Sequence, residues 1–174
     1  MIFTRNVATR GRTVRAFCAS FALVACALAS QMPAEASESE AAVQFIRDFT
    51  DEAIVKLTDD GRSSAEKVSD FRELLVRGFY LDGIGRFVLG PHWRRLDEQA
   101  QADYLQAFED YLVATYSRRM DDYAGEQLDV LAARKRKKDY VVQSTLSGSD
   151  FENMRIDWRV RLMDGHWKIV DVAQ

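Results

Sequence analysis

The spacing of apolar residues changes once along this chain, near Gly125. Before that residue, apolar side chains recur every three or four positions, which is the spacing of one face of an α-helix. After it they alternate with polar side chains, as in strands that have one buried face. A run of helices followed by a run of strands predicts an α+β domain, with N-terminal helices packed on a four-stranded antiparallel sheet.

Four helices are expected before the change of spacing. The first covers residues 37–59, and Ser63 followed by Glu66 is a capping-box pattern that begins the second. A short third helix falls in GFYLDGIGRFVLGPHW, an apolar segment interrupted by glycines, which let another backbone or a ligand come close. Candidate ends of the last two helices are Asp82 and Gly90 for the third, and Asp97 and about Tyr123 for the fourth.

Two hairpins account for the remainder of the chain. The first covers residues 126–148 and turns at a charged tip, and the second covers residues 153–172 and turns at Asp164-Gly165. Alternation in the first hairpin places on one face Tyr140, Val142, Ser144 and Leu146. In the second hairpin it places inward Ile156, Trp158, Val160 and Leu162, and outward Arg155, Asp157, Arg159 and Arg161.

The N-terminal residues have the order of a bacterial export signal. A basic start precedes the apolar run of residues 16–29, which is too short to span a bilayer permanently, and Ala34-Glu35-Ala36 fits the cleavage rule. We therefore expect residues 1–36 to be a signal peptide, residues 37–174 to be the mature domain, and the protein to be periplasmic. A lipoprotein anchored at Cys26 is the alternative, since LVAC ends in a cysteine after a small residue.

Charge and cysteine content exclude several function classes. Without residues 1–36 the chain loses four arginines and one glutamate, which leaves 20 basic and 26 acidic residues and a net charge of −6. Bulk attraction to nucleic acid or to an anionic membrane is therefore not expected. Both cysteines, Cys18 and Cys26, lie in the leader, so the mature chain would have no disulfide and no thiol nucleophile.

Signs of catalytic chemistry are weak. The chain has no G-x-S-x-G pattern, and its two histidines, His92 and His166, stand beside expected loops or turns. Gly83-Ile84-Gly85 lacks both the third glycine and the preceding strand of a dinucleotide-binding loop. We therefore expect no enzyme activity, no metal and no cofactor. What remains is apolar surface, which either packs solidly or leaves a cavity between the helices and the sheet.

The densest charge run forms the tip of the first hairpin and consists of Arg134, Lys135, Arg136, Lys137 and Lys138. Such a tip can be simply solvated, and it keeps strands from pairing with neighbouring molecules. Alternatively it docks an acidic partner protein or lipid phosphates.

Residues 82–125 resemble the MlaC family, also called toluene-tolerance proteins, and the block WKIVDV at residues 167–172 is similar to a second part of that family. The matching positions are Tyr80, Asp82, Val88-Leu89-Gly90, Trp93, Glu98-Gln99, Phe108, Tyr111-Leu112, Tyr116 and Tyr123 to Gly125. This chain ends at Gln174, and family members continue past the last strand into a further helical segment, so the domain is expected to lack that segment.

The resemblance implies a periplasmic phospholipid-binding component of an ABC-type lipid-transport system. Its fold would be helices on a curved antiparallel sheet, with an apolar cavity for acyl tails. Its partners would be a phospholipid, an inner-membrane ABC transporter complex and an outer-membrane lipoprotein complex. A hopanoid-associated lipid-binding variant of the family is an alternative.

The residues expected to line such a cavity are apolar side chains of both layers. On the helical side they are Ile84, Val88, Leu89, Phe108, Leu112 and Tyr116, and on the sheet Val142, Leu146, Ile156, Trp158, Val160 and Leu162. Two rival hypotheses remain. A periplasmic adaptor would have a filled core and no cavity, whereas an enzyme would need an acid or base that points into the cavity.

Overall fold

The computed structural model describes residues 34–117, 127–148 and 153–174. The expected leader, with Cys18 and Cys26, lies outside these residues except for residues 34–36, which belong to the first helix. The expected end of the fourth helix near Tyr123 also lies outside them. None of the helices in the described ranges is both long and apolar enough to cross a membrane.

Helices occupy the first half of the structure. The α-helices are α1 (Ala34–Thr58), α2 (Ser64–Gly78), α3 (Leu81–Leu89) and α4 (Glu98–Tyr116), and a 3-10 helix covers Gly90–Arg95. The sequence predicted the four α-helices and did not predict the 3-10 helix. The predicted caps are present: the Glu66 N–H donates to Ser63 Oγ at 3.3 Å, and the Ala100 N–H donates to Asp97 Oδ1 at 2.8 Å.

The sheet follows as four strands in sequence order. They are β1 (Gln127–Arg136), β2 (Asp139–Ser147), β3 (Met154–Met163) and β4 (His166–Ala173), each antiparallel to the next. Asp164 and Gly165 both have positive φ, 50° and 80°, as a tight two-residue hairpin turn requires. The predicted α+β fold, with four helices packed against a four-stranded antiparallel sheet, is therefore confirmed.

The hydrophobic core lies between α1 and one face of the sheet. Ala42, Val43 and Ile46 project from α1 onto the central strands. The sheet contributes to this core Tyr140, Val142, Val160 and Ile169. Since α1 carries one apolar stripe, it can cover only part of the sheet, and the other helices pack elsewhere.

Helices α2 and α3 contact the edge strand β4, and α4 packs against both helices. Phe79 forms a parallel bridge with Ile169, and the Tyr80 N–H donates to the Ile169 carbonyl oxygen at 2.8 Å. This bond places the N-terminus of α3 at the sheet edge, with Tyr80 as its cap residue. The prediction that Asp82 caps this helix was therefore wrong, and Asp82 lies within its first turn. Gly90, at φ 59°, ends the helix as predicted.

Glycines allow α3 to pack closely. A Cβ atom at Gly85 would lie 2.9 Å from Leu105 Cδ2 on α4, and one at Gly83 would lie 2.0 Å from the Tyr80 ring. Both distances are shorter than Cβ contacts normally are, so a side chain at Gly83 would displace the Tyr80 ring and one at Gly85 would displace the tip of Leu105. The glycine-interrupted segment thus forms a thin helix between α4 and the sheet edge.

Candidate functional site

An apolar cleft of about 910 Å³ lies between helices α2–α4 and strands β3 and β4. The helices contribute to its wall Phe71, Leu75, Phe79, Tyr80, Leu81, Gly83, Ile84, Phe87, Phe108, Leu112 and Tyr116. The strands and the C-terminal residue contribute Met154, Ile156, Trp158, Arg159, Arg161, Val170, Asp171, Val172, Ala173 and Gln174. Only three of these side chains are charged, and all three belong to the strands, so the helical wall is entirely uncharged.

The cleft forms because the helices pack against the edge of the sheet and not flat on its face. Hydrogen bonds and ring stacking hold the aromatic side chains beside the cleft in place. Tyr104 Oη donates to the Gly85 carbonyl oxygen at 3.0 Å and stacks on Phe108, which lines the cleft. Trp158 Nε1 donates to the buried Ser144 Oγ at 2.9 Å, which orients the indole on the opposite wall. These bonds satisfy the Tyr104 hydroxyl and the Trp158 indole N–H, and they leave apolar ring surface facing the cleft.

Six of the twelve predicted lining residues come together in the cleft. They are Ile84, Phe108, Leu112 and Tyr116 from the helices, and Ile156 and Trp158 from β3. Their binding to a lipid stays a prediction.

The other six lie elsewhere. Val142 and Val160 are completely buried beneath α1, so they belong to the packed core and not to the cleft. Val88 and Leu162 are exposed, at the end of α3 and beside the β3–β4 turn, and Leu89 and Leu146 are half-buried away from the cleft wall. Alternation identified the face of each strand correctly, but it carried no information on which helix covers that face.

The sequence pattern did not indicate the contribution of α2 to the cleft. Phe71, Leu75 and Phe79 were recognisable as members of one helical stripe, but a stripe against a core and a stripe against a cleft have the same spacing. Phe87 is another missed residue. Its side chain lines the cleft and is nevertheless 86% exposed, so it lies at the mouth.

Arg159 and Arg161 alternate with Trp158 and Val160 along β3, as predicted, but they are not simply solvated. Both line the cleft, and both hydrogen bond to Asp139, which is only 1% exposed. Arg159 Nε donates to Asp139 Oδ2 at 2.6 Å, and Arg161 donates through Nε and Nη2 to the two carboxylate oxygens at 2.5 and 3.1 Å. A buried carboxylate at the start of β2 therefore holds both guanidinium groups in place beside the cleft.

The electrostatics of this cluster favour ionised groups. Burial raises the pKa of Asp139, but the hydrogen bonds from Arg161 and Arg159 outweigh burial and hold its pKa below the ordinary value. Asp139 correspondingly raises the pKa of Arg161. The cluster thus brings two permanent positive charges and one negative charge to the sheet wall of the cleft.

A second cavity, of about 660 Å³, lies beside the β3–β4 turn. Its wall consists of Phe45, Arg77, Tyr80, Met163, Asp164, Gly165, His166, Trp167 and Lys168. Tyr80 lines both cavities, so its ring stands between them. Across the described parts of the chain, no three histidine, cysteine or acidic side chains cluster in a way that could hold a metal ion.

The basic tip lies at the β1–β2 turn, and its five residues Arg134, Lys135, Arg136, Lys137 and Lys138 are exposed. Lys135 lies over the Tyr140 ring and within 4.0 Å of Glu35 and Glu38 on α1. The tip therefore has the predicted hairpin geometry, and its docking role stays a prediction.

Comparison with known proteins agrees with this geometry. A solved structure of a phospholipid-binding protein from Ralstonia solanacearum, in complex with a phospholipid, superposes with a TM-score of 0.65 and 18% sequence identity over 75% of this chain and 76% of that chain. Likeness at this identity shows a shared fold. No curated protein matches the sequence. The model of the family described as MlaC protein matches residues 47–174, so the resemblance is confirmed and the chain belongs to the MlaC family.

Proposed function

We propose that this protein is a non-enzymatic periplasmic carrier that holds a phospholipid by its acyl tails. The observation that carries this proposal is the cleft of about 910 Å³ with an uncharged helical wall. Its volume lies near the top of the range of roughly 300–1,000 Å³ that ligand pockets occupy. A cleft of this size and polarity is suited to hydrocarbon.

The energetics of transport explain why the wall must be apolar. Two acyl chains contain about 30 methylenes, and each costs about 0.8 kcal/mol when exposed to water, or about 25 kcal/mol together. A carrier must nearly match the bilayer, so that the lipid can enter and leave. A charge deep among the tails would destabilise the complex, and here charge is confined to the strand wall.

Family membership and the named neighbour support the same function. The neighbour is described as a phospholipid-binding protein in complex with a phospholipid, and this chain shares its fold. Membership of this family and the likeness to a phospholipid-binding protein favour a carrier over an enzyme. A hopanoid-type lipid would fit the same chemistry and is the alternative cargo.

The carrier would exchange lipid with membrane-bound partners. We propose that residues 1–36 direct export to the periplasm, and that the partners are an inner-membrane ABC transporter complex and an outer-membrane lipoprotein complex. The transporter would supply the energy for directional movement. The exposed basic tip, Arg134 to Lys138, is the proposed docking surface.

Lipid extraction from the purified protein tests the carrier hypothesis. The protein is expressed with its leader, purified from the periplasm without detergent, denatured, and analysed by mass spectrometry. We expect about one phospholipid per chain. Protein that is folded by circular dichroism, carries no lipid and accepts none from phospholipid vesicles would contradict the proposal and favour an adaptor.

A further inference from the structure

The charged groups of the cleft are concentrated on β3 and β4. Arg159 and Arg161 lie two residues apart on β3, so they project from the same side of the strand. Asp171 on β4 pairs with Arg159 in the strand register and is exposed. The remaining lining side chains carry no charge, so a charged group of a molecule bound in the cleft finds charged partners only in this region.

The two arginines have more hydrogen-bond donors than Asp139 can accept. Each guanidinium carries five N–H donors. Arg159 donates one N–H to Asp139 and Arg161 donates two. Within the described ranges, Asp139 is the only ion-pair partner of either arginine. Several N–H groups of the two arginines are therefore left without an ion-pair partner beside the apolar cleft.

The two arginines differ in exposure, which separates their roles. Arg161 has a side chain that is 22% exposed and a two-bond contact with the buried carboxylate, so it neutralises Asp139. Arg159 is 42% exposed and makes a single bond, so its terminal nitrogens are accessible from the cleft. One arginine balances the charge of Asp139, so the second guanidinium is able to bind a further anion.

Phosphate is the anion that this arrangement suits. A guanidinium presents a planar fork of N–H groups that matches two phosphate oxygens, and it stays charged at every relevant pH. Asp139 holds the Arg159 side chain in place before any ligand arrives, which lowers the entropic cost of binding. The neighbouring wall, including Ile156 and Trp158, is positioned to receive the apolar part of the same molecule.

We infer that Arg159, positioned by Asp139 and supported by Arg161, binds the phosphate group of the phospholipid whose tails occupy the cleft. This inference rests on the proposed function and adds a specificity to it. The protein then discriminates between a phospholipid and a diacylglycerol that has the same tails and no phosphate.

The experiment compares binding of dioleoyl phosphatidylglycerol and dioleoylglycerol to delipidated protein, by transfer from donor vesicles. Wild-type protein should favour the phospholipid by about tenfold, which corresponds to one charge-assisted hydrogen-bonded contact. Arg159→Gln should remove that preference by weakening phospholipid binding to the level of diacylglycerol binding. Arg159→Lys should retain part of it. Arg155→Gln is the matched control, because Arg155 lies on the same strand and pairs with Asp157 away from the cleft.

The outcomes distinguish this inference from the proposed function. Wild-type protein that binds both lipids equally keeps the carrier function and overturns the phosphate site. An Arg159→Gln variant that loses both lipids in parallel also overturns it, since the arginine then supports only the cleft wall. Wild-type protein that binds neither lipid ends both proposals. Glycerol 3-phosphate that binds as tightly as the phospholipid would assign the site to free phosphate esters instead.

Discussion

The backbone N–H of Tyr80 donates to the carbonyl oxygen of Ile169 at 2.8 Å, which fixes the junction of α2 and α3 to the edge of β4. Phe79 and Ile169 form a bridge at the same point. The cleft opens immediately beside this connection, with the helices on one side and the strand ends on the other. Because the helices are held at the edge, they cannot slide over the sheet face and close the gap.

A charge placed in the helical wall should expel lipid. Leu112→Asp introduces a carboxylate where the cleft wall is apolar, and we expect co-purified lipid to fall by at least about tenfold. Tyr111→Asp is the control, since Tyr111 precedes it on α4 and its side chain is exposed. Lipid extraction and mass spectrometry measure both variants. Equal lipid content in the two would show that the tails lie elsewhere.

Asp139 should make stability depend on pH. Its pKa is lowered in the folded protein, so the ionised carboxylate stabilises the fold above the ordinary Asp pKa of about 3.9, and this contribution is lost as pH falls through the lower folded value. At pH 7, Asp139→Asn should lower the free energy of unfolding by about 2 kcal/mol.

The difference between wild type and Asp139→Asn should shrink as the pH falls below about 4. Urea unfolding followed by circular dichroism at several pH values measures it. Asp129→Asn, at an exposed position on β1, is the control and should change little. A difference that stays constant down to pH 2 would rule out ionisation of Asp139 as the cause.

The capping box of α2 should contribute measurably to stability. Ser63→Ala removes the acceptor of the Glu66 N–H, and should lower the free energy of unfolding by about 1 kcal/mol. The variant also removes the Ser63 hydroxyl bond that most strongly lowers the pKa of Glu66. Ser64→Ala, one residue into the helix, should have little effect in the same urea titration. Equal losses in the two variants would contradict the role of the cap.

Replacing Gly78 with a larger residue should lower the stability of the fold, because Gly78 lies against an aromatic ring. A Cβ atom there would lie 2.3 Å from the Phe49 ring, so Gly78→Ala should destabilise the contact between α1 and α2. We expect a loss of about 1–2 kcal/mol, since overpacking outweighs the gain of about 1 kcal/mol in helix propensity. Adding Phe49→Leu should make the Gly78→Ala change less costly in a double-mutant cycle. Strictly additive losses would argue against the close contact.

Reversing the charge of the basic tip should weaken docking to a partner and leave lipid binding unchanged. Replacing Lys135, Arg136, Lys137 and Lys138 with Glu should weaken co-sedimentation with native membrane vesicles and leave lipid content unchanged, because none of the four lines the cleft. Loss of bound lipid from the variant would contradict this separation. Unchanged co-sedimentation would place the docking surface elsewhere.

Local sequence signals predicted the element types and most of their ends. Ser63, Asp97, Gly90 and the Asp164-Gly165 turn act through contacts within a few residues, which periodicity and turn chemistry capture. Asp82 failed as a cap because a distant bond, from Tyr80 to the edge of β4, sets the start of α3.

These local signals did not predict which helix covers which part of the sheet. Val142 and Ile156 both belong to an inward-facing set, yet α1 covers the first and the cleft reaches the second. Arg159 fits the pattern of a solvated strand face, and that pattern does not show that it contacts the buried Asp139 and lines the cleft. Which helix covers which part of a sheet depends on contacts between distant residues, and alternation does not encode those contacts.

The sequential strand order bears on the folding of the chain. Each strand pairs with the next one along the sequence, so the sheet closes short loops that cost little conformational entropy. The pairing of Tyr80 with Ile169 joins residues separated by most of the domain and closes a much longer loop. We therefore expect the sheet to nucleate early and the compartment beside it to be enclosed late, which would give the nascent protein a stage at which cargo could enter before the walls are complete.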